Sequence, residues 1–202
     1  MDQDTAPAHA PAYAYKPSLM GGGWSFALAE DALVWTFGTA SGRVPYTGIK
    51  RIRLAFRPVT MQNYRFLAEI WSDKNPKLPI ASSSWKSLME QERLDEPYSR
   101  FIVDLHERIA KAGGKPRLEA GAVAFLYWPG LVVFVAIAIA VAALIVRALQ
   151  QGEMAATLFL AGFFALLLWQ LGGFFKRNLP RRYTLDAVPA DLLPKSSPWL
   201  GR

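Results

Sequence analysis

The sequence predicts an α+β chain: a small antiparallel sheet or curled β-barrel plugged by a C-terminal amphipathic helix, followed by a two-helix transmembrane hairpin. Three patterns predict it. Period-2 alternation runs from Trp24 to Trp85, an apolar stripe at helical spacing runs from Tyr98 to Ile109, and two long apolar runs lie between Ala120 and Phe175. The 202 residues leave room for one modest soluble domain beside the membrane segments.

Net charge is +7, divided as +3 up to Glu119 and +4 beyond it, with very little charge between Ala120 and Phe175. The basicity flanks the apolar runs, where contact with anionic lipid and control of topology account for it, so no nucleic-acid partner is expected. Cysteine is absent, which removes disulfides, thiolate metal sites and cysteine nucleophiles. Residues 1–22 carry two acids, repeated Pro and no apolar core, and read as a disordered N-terminal tail rather than a secretory signal peptide.

The soluble domain is expected over residues 23–113. Ser25 to Ala29 and Ala32 to Phe37 read as a hairpin around Glu30-Asp31, and GTASGR as a turn. In VPYTGIKRIRLAF, Ile49, Ile52, Leu54 and Phe56 supply an inward face. Further strands are expected from about Gln62 to Trp71 and, after SDKNPK, from Leu78 to Trp85. A helix follows, with Asp95 as cap, Pro97 in the first turn and Gly113-Gly114 as the stop. Tyr98, Phe101, Ile102, Leu105 and Ile109 form its apolar stripe and must pack on the sheet, while Arg100, Asp104 and Arg108, and Glu107 with Lys111, mark the solvated face.

Leu33 to Phe37, the turn, Val44-Pro45-Tyr46 with Ile49, Ile52 and Leu54, and the Tyr98 to Ile109 helix together resemble the bacterial pleckstrin-homology-like domain, fused here to a transmembrane hairpin. The resemblance covers Trp24 to Ala112. It implies a bent sheet plugged by a helix, and a binding or scaffolding module that recognises lipids or proteins and does not catalyse. The first hairpin lacks the phosphoinositide-type basic cluster that such a domain would carry there.

The first transmembrane helix is expected over residues 120–146, about 40 Å at the helical rise, and the second over 154–175, about 33 Å. Both exceed the roughly 30 Å hydrocarbon core. Pro129 predicts a kink or a helix that begins in earnest at Trp128. Lys111, Lys115 and Arg117 precede the first span and Lys176, Arg177, Arg181 and Arg182 follow the second, whereas the short external loop 147–153 holds only Arg147. That asymmetry sets the topology of a multi-pass protein of the cell inner (plasma) membrane, with N- and C-termini cytosolic. Tyr127, Trp128 and Trp169 fall at one common interface. The short loop makes the helices antiparallel; Ala136 with Ala140, or Ala138 with Ala142, and Gly162 are candidate close-approach points. Gln170 reads as an interfacial side chain.

The cytosolic C-terminal tail, 176–202, is too short to fold alone, yet Tyr183, Leu185, Val188, Leu192 and Leu193 are apolar enough to dock on the domain or on a partner.

Arg51, Arg53 and Arg57 alternate with Ile52, Leu54 and Phe56, so on a strand they share the outward face and are the candidate contacts for an anionic surface. A solvated charged face accounts for them as well. Ser83 to Lys86 matches S-x-x-K without its companion motifs. His9 and His106 are too few for a metal site, and His106 reads as a partly exposed helix residue. Glu90, Glu92, Asp95 and Glu96 suit the positive start of the helix. No nucleotide-binding loop is present. No catalytic, cofactor or metal residue is assigned, and the chain reads as non-enzymatic: a membrane-anchored binding or scaffold protein, or an accessory subunit docking a protein partner through its hairpin. An enzyme acting on lipid or peptidoglycan precursors has few acid-base groups to draw on.

Overall fold

The computed structural model describes residues 11–58, 64–87 and 90–194. In chain order the elements are β1 (Ala12–Tyr15), β2 (Trp24–Leu28), β3 (Ala32–Phe37), β4 (Ala40–Pro45), β5 (Ile49–Pro58), β6 (Tyr64–Ser72), β7 (Leu78–Ala81), β8 (Ser83–Trp85), β9 (Gln91–Arg93), α1 (Asp95–Lys111), β10 (Arg117–Ala120), α2 (Ala124–Gln150), α3 (Met154–Arg177) and β11 (Arg181–Arg182). They form two compact units: residues 1–120 with 181–202, and residues 121–180.

The first unit is α+β. One sheet has the order β1-β2-β3-β4, a second β11-β10-β5-β6-β7, and β8 pairs with β9. Pairing is antiparallel except between β10 and β5. Both larger sheets turn their apolar residues, among them Phe26, Leu33, Ile52, Leu54 and Ile70, into one core, which Tyr98, Phe101, Ile102, Leu105 and Ile109 of α1 complete. The expected stripe is therefore the buried face of the helix. Its end is a Schellman motif: Gly113 takes φ +71°, its N–H bonds Ala110 O and that of Gly114 bonds Ile109 O. The start differs from expectation. Asp95 is the first helical residue rather than the cap, and it pairs with Arg93.

No barrel closes. At the free edge of β7, Pro79 has no N–H to continue a ladder, and the adjacent edge, β1, meets it through side chains instead. Tyr13 Oη donates to Ala81 O at 2.6 Å and Tyr15 Oη to Pro79 O at 2.8 Å. Both tyrosines are buried. The reading of residues 1–22 as a disordered tail is thus corrected at β1; residues 1–10 lie outside the described residues. GTASGR is also mostly strand, because the turn needs only Gly38-Thr39 and Gly38 supplies the φ of +58° that a two-residue hairpin requires.

The domain also extends beyond residue 113. After α1 the chain adds β10 beside β5, and after the hairpin β11 pairs with β10, Glu119 opposite Arg182 and Ala120 opposite Arg181. The C-terminal segment then folds back on this unit. Leu192 is fully buried, and Tyr183, Leu185, Val188 and Leu193 pack on the core, as their apolarity suggested. Arg181 Nη2 reaches both carboxylate oxygens of Asp191, at 2.5 and 2.6 Å, and Ser99 Oγ donates to Pro194 O. Residues 195–202 lie outside the described residues.

The second unit is an antiparallel pair of helices, each long and apolar enough to cross a bilayer. Tyr127, Phe134, Ala138, Val141 and Ala148 are among the less exposed positions of α2, and Thr157, Leu160, Phe164 and Leu167 among those of α3. Their steps of three, four and seven residues trace one seam per helix. Ala138 and Ala142 lie on that seam, while Ala136 and Ala140 face outward. Gly162 faces open space, so it is not the close-approach point its composition suggested. The helix bounds differ from expectation: α2 has the expected 27 residues but lies four positions later, and α3 runs two residues further, to Arg177. α2 begins at Ala124, accommodating Pro129 in its second turn, and ends at Gln150. Gly152 at φ +76° and the bonds Gly152 N–H to Leu149 O and Glu153 N–H to Ala148 O cap it, leaving three residues as the turn. Phe125, Phe159 and Trp169 are 82%, 75% and 78% exposed, part of an apolar surface of the kind that marks a membrane or protein contact.

Replacing Leu192 with Ala should destabilise the first unit by about 2–5 kcal/mol, the range for truncating a fully buried leucine. Thermal unfolding of the full-length protein in detergent measures it; an unchanged midpoint would show that the C-terminal segment is not part of the core.

Candidate functional site

The outer face of the five-stranded sheet gathers a dense set of charged side chains. On β5, Ile52, Leu54 and Phe56 point to the core, which turns Arg51, Arg53 and Arg57 outward as their alternation predicts. The register then places partners beside each. Trp71 lies opposite Arg51, Glu69 opposite Arg53 and Arg65 opposite Arg57. On the other side, β10 sets Arg117 beside Arg51 and Glu119 beside Arg53, and β11 adds Arg182 opposite Glu119.

Glu69 organises the middle of this face. Its side chain is almost fully buried, and Arg53 donates to Oε2 from Nε at 3.0 Å and from Nη2 at 2.5 Å. Lys77 Nζ reaches Oε1 at 2.9 Å, and Arg57 Nη2 stands 3.8 Å from the same oxygen. Burial alone would raise the Glu69 carboxyl; the hydrogen bonds and charges of Lys77 and Arg53 outweigh it and hold the group below its ordinary value. The Arg51 guanidinium lies over the Trp71 ring, 3.8 Å from its centroid. Arg117 Nε bonds Glu119 at 2.6 Å.

The three predicted arginines therefore have different roles. Arg53 is anchored to Glu69, with its side chain only 13% exposed, and Arg51 is stacked, whereas Arg57 is 49% exposed and only loosely held. Arg65, Glu69, Trp71 and Lys77 were not singled out from sequence, although the even spacing of the first three on β6 carries the same signal; Lys77 comes from the turn before β7. Arg65 is distinctive: its Nε is buried and has no hydrogen-bond partner among the described residues.

The flanking cations divide similarly. Arg181 is committed to Asp191 and Arg117 to Glu119, and Lys111 stands 3.8 Å from Glu107. Lys115 and Arg182 are exposed, and Lys176 and Arg177 occupy the last turn of α3.

Elsewhere the residues weighed for chemistry have structural partners. His106 is 1% exposed, which corrects its reading as a partly exposed residue. Its Nδ1 lies 2.7 Å from Ile102 O and must carry the proton, so Nε2, 2.9 Å from Tyr183 Oη, accepts from the phenol. Burial lowers the His106 pKa, partly offset by the Ile102 bond, and raises that of Tyr183. Ser83 is in strand, so S-x-x-K has no helical turn to align it, and Lys86 Nζ lies 3.6 Å from Glu92. Glu96 pairs with Arg100 at 2.8 Å, and Arg108 donates to Ala29 O. Gln170 is exposed on α3. His9 lies outside the described residues. Among the described residues no group of three or more His, Asp and Glu is arranged to hold a metal ion.

Two outcomes follow from these buried groups. Because the folded His106 resists protonation while the unfolded residue titrates near 6.5, the unfolded state binds more protons below that pH, and stability should fall as pH drops from about 6.5. His106→Gln should flatten that slope in thermal unfolding measured across pH; an identical slope would exclude His106 as its source. Glu69→Gln strands Arg53 and Lys77 without their carboxylate and should cost about 3 kcal/mol, again read by unfolding.

No protein-family model matches the chain, and no curated protein or solved structure is significantly similar to it.

Proposed function

We propose that this chain is a membrane-anchored, non-enzymatic binding or scaffold protein, in which a pleckstrin-homology-like unit is carried by a two-helix hairpin across the cell inner membrane, with both chain ends cytosolic. The observation that carries the proposal is the pairing of β10 with β11. These strands flank the hairpin in sequence, and hydrogen-bonded neighbours must lie on one side of a bilayer. An even number of crossings between them follows, which agrees with two spans and a three-residue turn.

The side is argued from charge. Lys111, Lys115, Arg117, Lys176, Arg177, Arg181 and Arg182 flank the spans, against Arg147 at the turn, and cationic flanks remain cytosolic. The pleckstrin-homology-like reading is supported by a helix that follows a run of antiparallel strands and fills their core; the parallel β10 and the returning C-terminal segment are additions to that plan. Binding, rather than catalysis, is the use that a broad charged sheet face suits best. No protein partner is specified by it.

A second reading, an accessory subunit of a larger membrane complex, is favoured by one feature of the hairpin. Gly162, Gly172 and Gly173 have open space where a side chain would stand, and Ala136 and Ala140 face outward, so a further helix could approach closely. A stoichiometric transmembrane partner retained through purification would favour this reading over a self-sufficient scaffold.

Single cysteines test the topology, since the chain has none of its own. In intact cells an impermeant thiol reagent should label the Gln151→Cys variant and spare the Lys176→Cys variant until the membrane is opened. Labelling of the second in intact cells would overturn the proposed orientation.

A further inference from the structure

We infer that the Arg57–Arg65 end of the outer sheet face binds the phosphate group of an anionic phospholipid, an assignment that rests on the membrane-anchored binding role proposed above and names its ligand. Three observations converge there. Arg57 and Arg65 are directly opposite in the β5–β6 ladder, and like charges so placed oppose each other across neighbouring strands. Arg65 Nε is a buried donor with nothing to receive its hydrogen among the described residues, an unmet group that an anionic oxygen would satisfy. Among the described residues Arg57 is held only by a 3.8 Å approach to Glu69, whose stronger bonds are already taken by Arg53 and Lys77.

The remainder of the face favours the same ligand. Arg51, Arg53, Arg57, Arg65, Lys77, Arg117 and Arg182 stand against two carboxylates, Glu69 and Glu119, leaving a cationic surface even after every internal pair is counted. A phosphate between two guanidiniums accepts charge-assisted hydrogen bonds from both and removes their repulsion. The lipid source is favoured over a soluble phosphate because two strands of this sheet, β10 and β11, run directly in sequence into helices long and apolar enough to lie in a bilayer. An anionic membrane surface is thus the phosphate-bearing phase to which this chain is tethered.

The test uses the full-length protein in nanodiscs of phosphatidylcholine alone, or of two parts phosphatidylcholine to one of phosphatidylglycerol. Amide hydrogen exchange over residues 51–57 and 65–71 should slow in the anionic discs, on the order of tenfold for two engaged arginines. Arg57→Gln should abolish most of that difference and, in neutral discs, leave the thermal midpoint unchanged or higher, because it relieves the opposition to Arg65. The exposed Arg100→Gln variant on α1 should keep the full lipid effect. Equal exchange in the two discs would overturn the inference, as would a midpoint lowered by Arg57→Gln in neutral discs. Inorganic phosphate added to neutral discs should not reproduce the slowing; if it does, the ligand is a soluble anion and the lipid assignment fails. Failure of the chain to enter nanodiscs would instead count against the membrane-anchored role, so the two ideas fail separately.

Discussion

The strand Arg117–Ala120 is the constraint on which the first unit depends. It lies parallel to β5 and antiparallel to β11, so the central sheet is continuous only when chain from both sides of the hairpin contributes to it. Backbone polar groups buried in a sheet must be paired, and β10 pairs with both. The packing has the same dependence. Leu118 and Ala120 face the core, Leu192 enters it from beyond the hairpin, and Tyr183 supplies the hydroxyl that satisfies His106. An incomplete chain ending at α3 would leave that histidine nitrogen and an apolar cleft without partners. Completion of the domain is therefore tied to synthesis and return of both helices.

What was legible in the sequence followed from local periodicity. The alternation in residues 49–56 and the stripe on α1 each repeat over enough residues to define a face, and their burial follows it. The two apolar runs were legible for the same reason. The alternation from Leu78 to Trp85 also covers β7 and β8, but the other elements of two to four residues were not legible, because nothing local distinguishes them. Ala12–Tyr15 is flanked by Pro and reads as tail, yet its two tyrosines find the edge carbonyls of β7 sixty-odd positions away. Likewise β10 and β11 exist through non-local pairing. His106 illustrates the converse: a histidine adjoining an apolar stripe is solvated or buried according to what covers it, and the cover, Tyr183, comes from beyond the hairpin.

The basic face shows how much of electrostatics lies outside the linear pattern. Alternation on β5 gave three outward arginines, but only the register with β6 differentiates them. A carboxylate opposite Arg53 and an indole opposite Arg51 turn two of those cations into parts of the scaffold, and the bonds from Arg53 and Lys77 allow Glu69 to be buried in its ionised form. The same register puts a second arginine opposite Arg57. A face of evenly spaced charges thus resolves into an internally neutralised centre and a less compensated end.

That division separates stability from binding within a single surface. Groups that hold Glu69 are limited in what they can give a ligand, since any bond to an external anion competes with a buried carboxylate. Arg57 and Arg65 face the opposite balance, because bringing an anion to them removes a repulsion and meets a buried donor. Substitution of the central residues should therefore be felt chiefly in folding, whereas the uncompensated end can change with little harm to the fold. A charged sheet face of this kind is a recognition surface only where its own structure leaves charge unmatched, and on this one that place is the pairing of β5 with the beginning of β6.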